Sequence, residues 1–357
     1  MKKIRVLVVD DSALVLKILT TALSMTDDIE VVATATDPYM AREKIKKLCP
    51  DVLTLDVEMP KMNGIKFLSN LMRLRPMPVV MISTLTREGS DVTLNALEMG
   101  AVDFIAKPNA SLAGNIAEFA SEVQDKVRAA ASARVQPLKK KKLVVATPAS
   151  PSAMRDSSVF ASMIAIGAST GGTEAIKDVL MGLPADCPPI VITQHIPGQF
   201  SASYARRLDD TCAMNVSEAS HNSPILSGHA YIAPGDQHLQ IAKINGKFVC
   251  KLTSGERVNH HRPSVDVLFD SVVAHGDKNT IGVLLTGMGA DGAQGMLRLY
   301  QHGCYTIAQD EASSVVWGMP RAAINLDAVD EVLPLSKIAA RLLELPKADR
   351  SCEAVSR

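Results

Sequence analysis

The sequence predicts an α/β protein built as two open, mainly parallel sheets with helices on both faces. Three observations carry this reading. Short β-branched runs alternate with stretches of helical apolar spacing over most of the chain. Those runs end in turns rich in Gly, Asp or Pro. A stretch dominated by Ala, Ser, Pro and Lys, residues 129–158, breaks the alternation near the middle and reads as a linker. At ~150 residues per domain, 357 residues suggest two domains or slightly more.

In the first half, Ile4 to Val9 is a β-branched run that ends in acid, and Ser12 to Met25 carries helical spacing through Leu14, Ile18, Leu19, Ala22 and Leu23. Glu30 to Thr34 reads as a strand and Pro38 to Leu48 as a helix. Val52 to Leu55 is a strand, followed by the turn EMPKMNG and a helix from Ile65 to Arg75. Val79 to Ile82 and Asp103 to Ala106 are strands around a helix at Gly89 to Met99, and a last helix runs from about Ala113 to Arg134. Five strands in strict alternation with five helices imply a parallel sheet.

In the second half, strands are expected at 163–168, 189–194, 281–286 and 304–309. HLQIAKINGKFVCKLT reads as a β-hairpin with Asn245-Gly246 as a type I′ turn. Ser264 is expected to cap a helix whose apolar face is Val265, Leu268, Phe269, Val272 and Val273. A final helix, Leu335 to Leu345, precedes a polar tail, and no internal repeat is present.

Composition narrows the function classes. Lys+Arg and Asp+Glu are both 38, so bulk electrostatic capture of nucleic acid or anionic membrane is disfavoured. Six Cys are scattered without C-x-x-C spacing, as in a reduced, cytoplasmic protein. The opening MKKIRVLVVDD imitates a signal peptide until Asp10 and Asp11 interrupt it. No apolar run reaches the ~18 residues of a membrane span. The basic run Lys139 to Lys142 reads as a solvated tether, with a docking patch for an acidic partner as the alternative.

Polar residues of the first half fall at strand ends. Asp10 and Asp11 follow the first strand, Asp56 the third, Ser83 the fourth and Lys107-Pro108 the fifth. Ligands of open parallel sheets bind outside those ends. Converging carboxylates repel one another, and a hard cation such as Mg²⁺ relieves the repulsion. Such a site suits phosphoryl transfer, with Asp56 as the carboxylate that forms an acyl phosphate and Lys107 and Ser83 as partners of the phosphoryl oxygens.

On VVDDS, LTLDVEMPKMNG, VVMIST and FIAKP, residues 1–124 resemble the receiver domain of two-component response regulators. The resemblance implies a flavodoxin-like five-stranded parallel sheet and phosphorylation of Asp56. It implies Mg²⁺ bound directly by Asp11, Asp56 and the Glu58 carbonyl, with Asp10 behind them. Ser83 becomes the switch hydroxyl, Phe104 stands where a switching aromatic sits, and Lys107-Pro108 would be a cis peptide.

The second half carries IAIGASTGGTEAI, in which Gly167 to Gly171 fits G-x-S-x-G between a strand and a helix. That context suits a nucleophile elbow at Ser169. A dinucleotide cradle is the competitor, but PIVITQHI ends in Gln194 and His195 with no acid for a ribose. His195 can serve as general base, and Asp291, in the loop of IGVLLTGMGADGAQG, can orient it. The N–H groups of Met288 and Thr170 are candidate oxyanion donors. Spacing alone leaves His221, His229, His238, His260, His261, His275 and His302 as rivals to His195. His260 and His261 read as loop residues. No H-E-x-x-H is present, which disfavours metal-dependent hydrolysis.

On IAIGASTGG, ITQHIPGQF, AYIAPGDQHL, NHHRPSVDVLF, LLTGMGADGAQG and SVVWGMPRAA, the whole chain resembles the chemotaxis response-regulator protein-glutamate methylesterases. The expected organisation is a receiver at 1–124, a linker at 125–158, a doubly wound hydrolase-type catalytic domain at 159–346 with a mainly parallel sheet and a β-hairpin, and a polar tail at 347–357. The resemblance selects Ser169, His195 and Asp291 as the triad, with no cofactor for the esterase. It implies methyl-accepting chemoreceptors as substrates, deamidation of receptor glutamines, and a chemotaxis histidine kinase as phosphodonor. The expected protein is a cytoplasmic monomer whose unphosphorylated receiver hinders the Ser169 cleft. A DNA-binding output domain and a pseudoenzyme that only docks on receptors are the alternative classes. The first lacks a basic helix-turn-helix in the sequence.

Overall fold

The computed structural model describes residues 2–84, 86–107, 116–135 and 162–345. The chain divides into two compact units, Met1–Lys140 and Lys141–Arg357. Lys139 to Lys142, Pro108 and with it the Lys107-Pro108 bond, and the C-terminal tail lie outside the described residues.

The first unit contains β1 (Ile4–Val9), α1 (Ala13–Leu23), β2 (Ile29–Ala35), α2 (Pro38–Leu48), β3 (Val52–Asp56), α3 (Gly64–Leu74), β4 (Val79–Ser83), α4 (Arg87–Glu98), β5 (Asp103–Ala106) and α5 (Ile116–Ser132). The five strands form one sheet in the order β2-β1-β3-β4-β5, with every pair parallel. Its central strands are apolar runs because helices cover both faces: Val6 to Val9 and Val79 to Ile82 are wholly buried. Ser12 and Asp37 cap α1 and α2 through their side chains. Helix α5 runs eight residues past the expected domain end at 124, with Val127, Ala129 and Ala130 buried.

The second unit contains β6 (Met163–Ala168), α6 (Gly172–Met181), β7 (Ile190–Gln194), α7 (Gly198–Asp209), β8 (Asn215–Glu218), β9 (His229–Ile232), β10 (His238–Ile244), β11 (Lys247–Thr253), α8 (Val265–His275), β12 (Thr280–Leu284), α9 (Ala293–His302), β13 (Tyr305–Gln309), α10 (Met319–Ile324), β14 (Glu331–Leu333) and α11 (Leu335–Glu344). Seven strands form a parallel sheet in the order β14-β13-β12-β6-β7-β9-β8. The chain winds one way from β6 through β7 and the other way from β12 through β13, so the order reverses between β6 and β12. That crevice is where doubly wound sheets place their ligands.

Strands β10 and β11 form the antiparallel hairpin, and both Asn245 and Gly246 have positive φ, as a type I′ turn requires. The apolar face of α8 packs Val265, Leu268, Phe269 and Val272 into the core with Leu284, Met296 and Leu299. Ser264 sits at the N-cap of α8 but makes no capping bond, contrary to the sequence expectation; its hydroxyl goes to Asp291 instead. Among the described residues no helix is long and apolar enough to cross a membrane, and Cys49, Cys187, Cys212, Cys250 and Cys304 are free thiols.

Candidate active site and acidic cluster

Ser169 follows β6, His195 follows β7 and Asp291 follows β12, so three separate connections meet at the strand carboxyl ends beside the reversal point. His195 Nδ1 lies 3.1 Å from Ser169 Oγ, and His195 Nε2 lies 2.8 Å from Asp291 Oδ2. A carboxylate accepts only, so Nε2 carries the ring proton. Nδ1 is then left with a lone pair for the serine hydroxyl.

In the turn that carries Ser169, the serine itself is outside the left-handed region. The left-handed residue is Gly171, at φ 77° and ψ −3°, and the Gly172 N–H closes back on the Ser169 carbonyl at 2.7 Å. This is the glycine position of a type II turn. A Cβ at Gly171 would also stand 2.6 Å from Val315 Cβ. From the other side Gly287 presses on the nucleophile: a Cβ there would fall 2.8 Å from Ser169 Cβ and 2.3 Å from Met319 Sδ.

Asp291 is buried at the N-terminus of α8, where unpaired N–H groups favour an anion. Its Oδ2 accepts from His195 and from the Val265 N–H at 2.7 Å. Its Oδ1 accepts from Ser264 Oγ and Asn259 Nδ2, each at 2.8 Å, and from the Asp266 N–H at 3.3 Å. Burial alone would raise its pKa, but the bond and charge of His195 with the Asn259 and Val265 donors hold it well below the ordinary 3.8. Neighbouring Asp266 is instead raised by burial, although it accepts from Gly295 N and Asn259 Nδ2.

Asn259 and His261 also belong to this site, which their places in the sequence did not show. Asn259 and His260, both at positive φ, form the centre of a tight turn between Val258 and His261. The Asn259 amide joins the two carboxylates. The same turn delivers His261 onto His195, ring centroids 3.7 Å apart and planes 16° from parallel. His261 is thus part of this site, whereas His260 is exposed. The motif NHHRPS held the signal, since Asn is the non-glycine residue best suited to such a turn. Of the oxyanion candidates, Thr170 is buried behind Ser169 with its carbonyl accepting from Thr286 Oγ1 at 3.0 Å. Met288 is half-buried and follows Gly287.

In the first unit, one oxygen each of Asp10, Asp11 and Asp56 lie within 4.8 Å of one another. Lys107 Nζ approaches Asp56 Oδ2 at 2.7 Å and Asp10 Oδ2 at 3.4 Å. Even so, Asp10 Oδ2 and both Asp56 oxygens have no hydrogen bond of good geometry. Burial pushes the Asp56 carboxyl up to about 6 and raises Asp10 too. Lys107 is lowered by burial but raised further by Asp56 and Asp10, for a net rise. Buried carboxylate oxygens short of donors are the ligand set of a hard dication, so these residues fit Mg²⁺. Glu58 follows closely, and its backbone N–H favours the charged form of Asp56. Ser83 Oγ is buried and held by Thr93 Oγ1 at 2.6 Å. Phe104 is buried with Lys126 Nζ 4.9 Å from its ring centre.

Comparisons with known proteins cover both units. Residues 164–342 match the family described as CheB methylesterase, and residues 6–113 match the response regulator receiver domain. The chain is 58% identical over 344 residues to protein-glutamate methylesterase/protein-glutamine glutaminase 1 of Hahella chejuensis, covering 95% of each chain. It is 52% identical over 345 residues to the protein of the same description from Salmonella typhimurium, covering 96% of this chain and 97% of that one. A crystal structure of the Thermotoga maritima CheB methylesterase catalytic domain superposes with a TM-score of 0.51 at 39% identity, covering 52% of this chain and 98% of that chain.

Proposed function

Since the chain belongs to the CheB methylesterase family and carries that family's receiver domain, we propose that it is a phosphorylation-controlled serine hydrolase acting on glutamate γ-methyl esters of chemoreceptors. The observation that carries this reading is the relay from Ser169 Oγ through both His195 nitrogens to Asp291.

Ser169 Oγ attacks the ester γ-carbonyl while its proton passes to His195 Nδ1. Asp291, already anionic and held by five donors, stabilises the resulting imidazolium without reorganising. The Met288 and Thr170 N–H groups are the proposed oxyanion donors. The carbonyl–methoxy bond breaks, His195 returns the proton, and methanol leaves. Water then attacks the acyl-enzyme, gives its proton to His195, and releases a glutamate carboxylate as Ser169 recovers its proton. The same steps on a glutamine amide release ammonia. The esterase steps use side chains and backbone alone.

In the receiver, Asp56 accepts the phosphoryl group from a chemotaxis histidine kinase. Mg²⁺ held by Asp11, Asp56 and the Glu58 carbonyl, with Asp10 behind them, would neutralise phosphoryl oxygens. Lys107 supplies a further positive charge, and Ser83 supplies a hydroxyl. Such a protein works in the cytoplasm, on chemoreceptors.

Methanol release from a methylated chemoreceptor fragment tests the reading, run with and without acetyl phosphate and Mg²⁺. Wild type should release methanol faster when the phosphodonor is present. Ser169→Ala should abolish release in both conditions, and Asp56→Asn should abolish only the stimulation. Full release by Ser169→Ala would overturn the assignment.

A further inference from the structure

We propose that Gln194 is a positioning residue for the hydrolytic reaction: its side-chain amide ties the turn of the nucleophile to the backbone of the base. This inference rests on the Ser169–His195–Asp291 reading and adds a residue that touches neither substrate nor reacting atoms.

Gln194 is the last residue of β7 and is 3% exposed. Its Nε2 donates to the Ser169 carbonyl at 2.8 Å and to the His195 carbonyl at 3.2 Å. The Ser169 carbonyl also receives the Gly172 N–H that closes the nucleophile turn. One side chain therefore grips both segments at the residues that do the chemistry.

The orientation of this amide follows from its partners. Two carbonyl oxygens can only accept, so the NH₂ end must face them and the oxygen must face away. Oε1 consequently lies buried with no hydrogen bond from any described residue. It rests against Gly172, where a Cβ would stand only 2.1 Å from it. Buried acceptors without donors are rare because they forfeit hydration. A Met or Leu would fill this volume without that cost. What distinguishes Gln here is the pair of bonds made by its NH₂.

Those bonds sit where the sheet can no longer hold the two segments together. Strands β6 and β7 pair through Ala168 and Gln194, and the last ladder bond runs from the His195 N–H to the Ala168 carbonyl at 3.2 Å. Beyond it the chain departs into the nucleophile turn on one side and a loop on the other. The Gln194 amide extends the cross-link one residue further on each strand, to Ser169 and His195 themselves. The Oγ–Nδ1 separation of 3.1 Å is thus set by backbone on both sides, and small displacements at that distance cost rate steeply.

The test uses full-length chain activated with acetyl phosphate and Mg²⁺, comparing wild type with Gln194→Met and Gln194→Glu. Methanol release from a methylated receptor fragment gives kcat and KM. A fluorophosphonate probe gives the rate of Ser169 labelling, and its end point counts intact sites. The expected result for Gln194→Met is a kcat lower by about 10- to 100-fold, with KM within about twofold, a matching fall in labelling rate, and a full labelling end point. Gln194→Glu, which turns a carboxylate onto two carbonyl oxygens, should fall at least as far. Rates within twofold of wild type in both variants would overturn the inference. So would a loss explained wholly by a smaller labelling end point, which would make Gln194 merely structural. If wild type labels at Ser169 yet releases no methanol, the substrate reading fails while the labelling comparison still decides the role of Gln194. If Ser169 does not label at all, both fall.

Discussion

His195 and His261 lie ring on ring, with centroids 3.7 Å apart and planes 16° from parallel. Asp291 and Ser169 fix the two ends of the His195 imidazole, and His261 covers one of its flat faces. The stack limits rocking about the Asp291 bond and keeps water from that face. Replacing His261 with Ala should therefore lower kcat by about tenfold through a looser Oγ–Nδ1 alignment, with KM little changed. Phe offers a flat ring of similar reach, so His261→Phe should keep most of the activity. Methanol-release kinetics on the three proteins decide this, and equal rates for Ala and wild type would remove His261 from the machinery.

Asp291→Asn tests a different property of the same relay. An Asn keeps the shape but presents an NH₂ or a neutral oxygen to His195 Nε2, so the imidazole loses both its enforced tautomer and its counter-charge. Loss of kcat on the order of 10³- to 10⁴-fold is expected by analogy with other serine hydrolases. The carboxylate also contributes stability with a definite pH sign. Its pKa is held below the ordinary 3.8 in the folded chain, so that contribution is complete above pH ~4 and drains away as pH falls through the folded pKa. The stability gap between wild type and Asp291→Asn should be widest at pH 6 and narrow towards pH 3, measured by denaturant unfolding.

The elements that position both sites were legible because fully buried parallel strands announce themselves as β-branched runs, as in Val79–Ile82 and Met163–Ala168. Strands β8 and β9 were missed because four residues each, NVSE and HAYI, carry too little pattern. Helix α7 was missed because it opens on Gly198 behind Pro197 without a capping side chain and places Ser201 and Ser203 inward. In the site, residues that follow strands could be read from position: Ser169, His195 and Asp291 each stand just beyond a run. Asn259, His261 and the hydroxyl of Ser264 could not, because they reach Asp291 or His195 only through the packing of α8 and the turn before it. Gln194 was visible only as the absence of an acid; that its amide faces two carbonyls depends on strand register.

Gly287 gives a steric prediction. A methyl group there would press on Ser169 Cβ at 2.8 Å and on Met319 Sδ at 2.3 Å. Met319 can bend away, but the Ser169 main chain, 3.1 Å off at its nitrogen, has little room. Gly287→Ala should fold, lose about 1–3 kcal/mol of stability from overpacking, and lose more than 90% of its methanol-release rate. A fully active Gly287→Ala enzyme would show that the loop after β12 yields more easily than its contacts suggest.

Ser83 and Thr93 share a buried hydroxyl pair at 2.6 Å. If the Ser83 hydroxyl moves towards the phosphoryl group on Asp56, it gives up the bond it accepts from Thr93 Oγ1. A net hydrogen bond is worth about 1 kcal/mol, equivalent to roughly a fivefold change in the equilibrium. Thr93→Val removes the competitor without changing the side-chain outline. At limiting acetyl phosphate it should raise the stimulated methanol-release rate by up to about fivefold while leaving the unstimulated rate alone. An unchanged stimulation curve would show that the Ser83–Thr93 bond does not oppose the switch.

Asp56 carries the opposite pH sign to Asp291. Burial lifts its carboxyl to about 6, above the 3.8 it has when exposed, so folding favours the protonated form. The charged form therefore costs stability: none below pH ~4, an increasing amount from 4 to 6, and the whole of it above. A gap of about two units corresponds to on the order of 2–3 kcal/mol at neutral pH. Asp56→Asn holds the same volume without charge and should stabilise the first unit at pH 7.5 with chelator present, but hardly at pH 4. Mg²⁺ should recover part of the difference in wild type alone, since a dication favours the ionised carboxylate. Hydrogen exchange of the peptides carrying β1 and β3 reads the first unit separately from the second. Equal protection in wild type and Asp56→Asn at pH 7.5 without metal would mean that Lys107 already neutralises the cluster and that no strain awaits the cation.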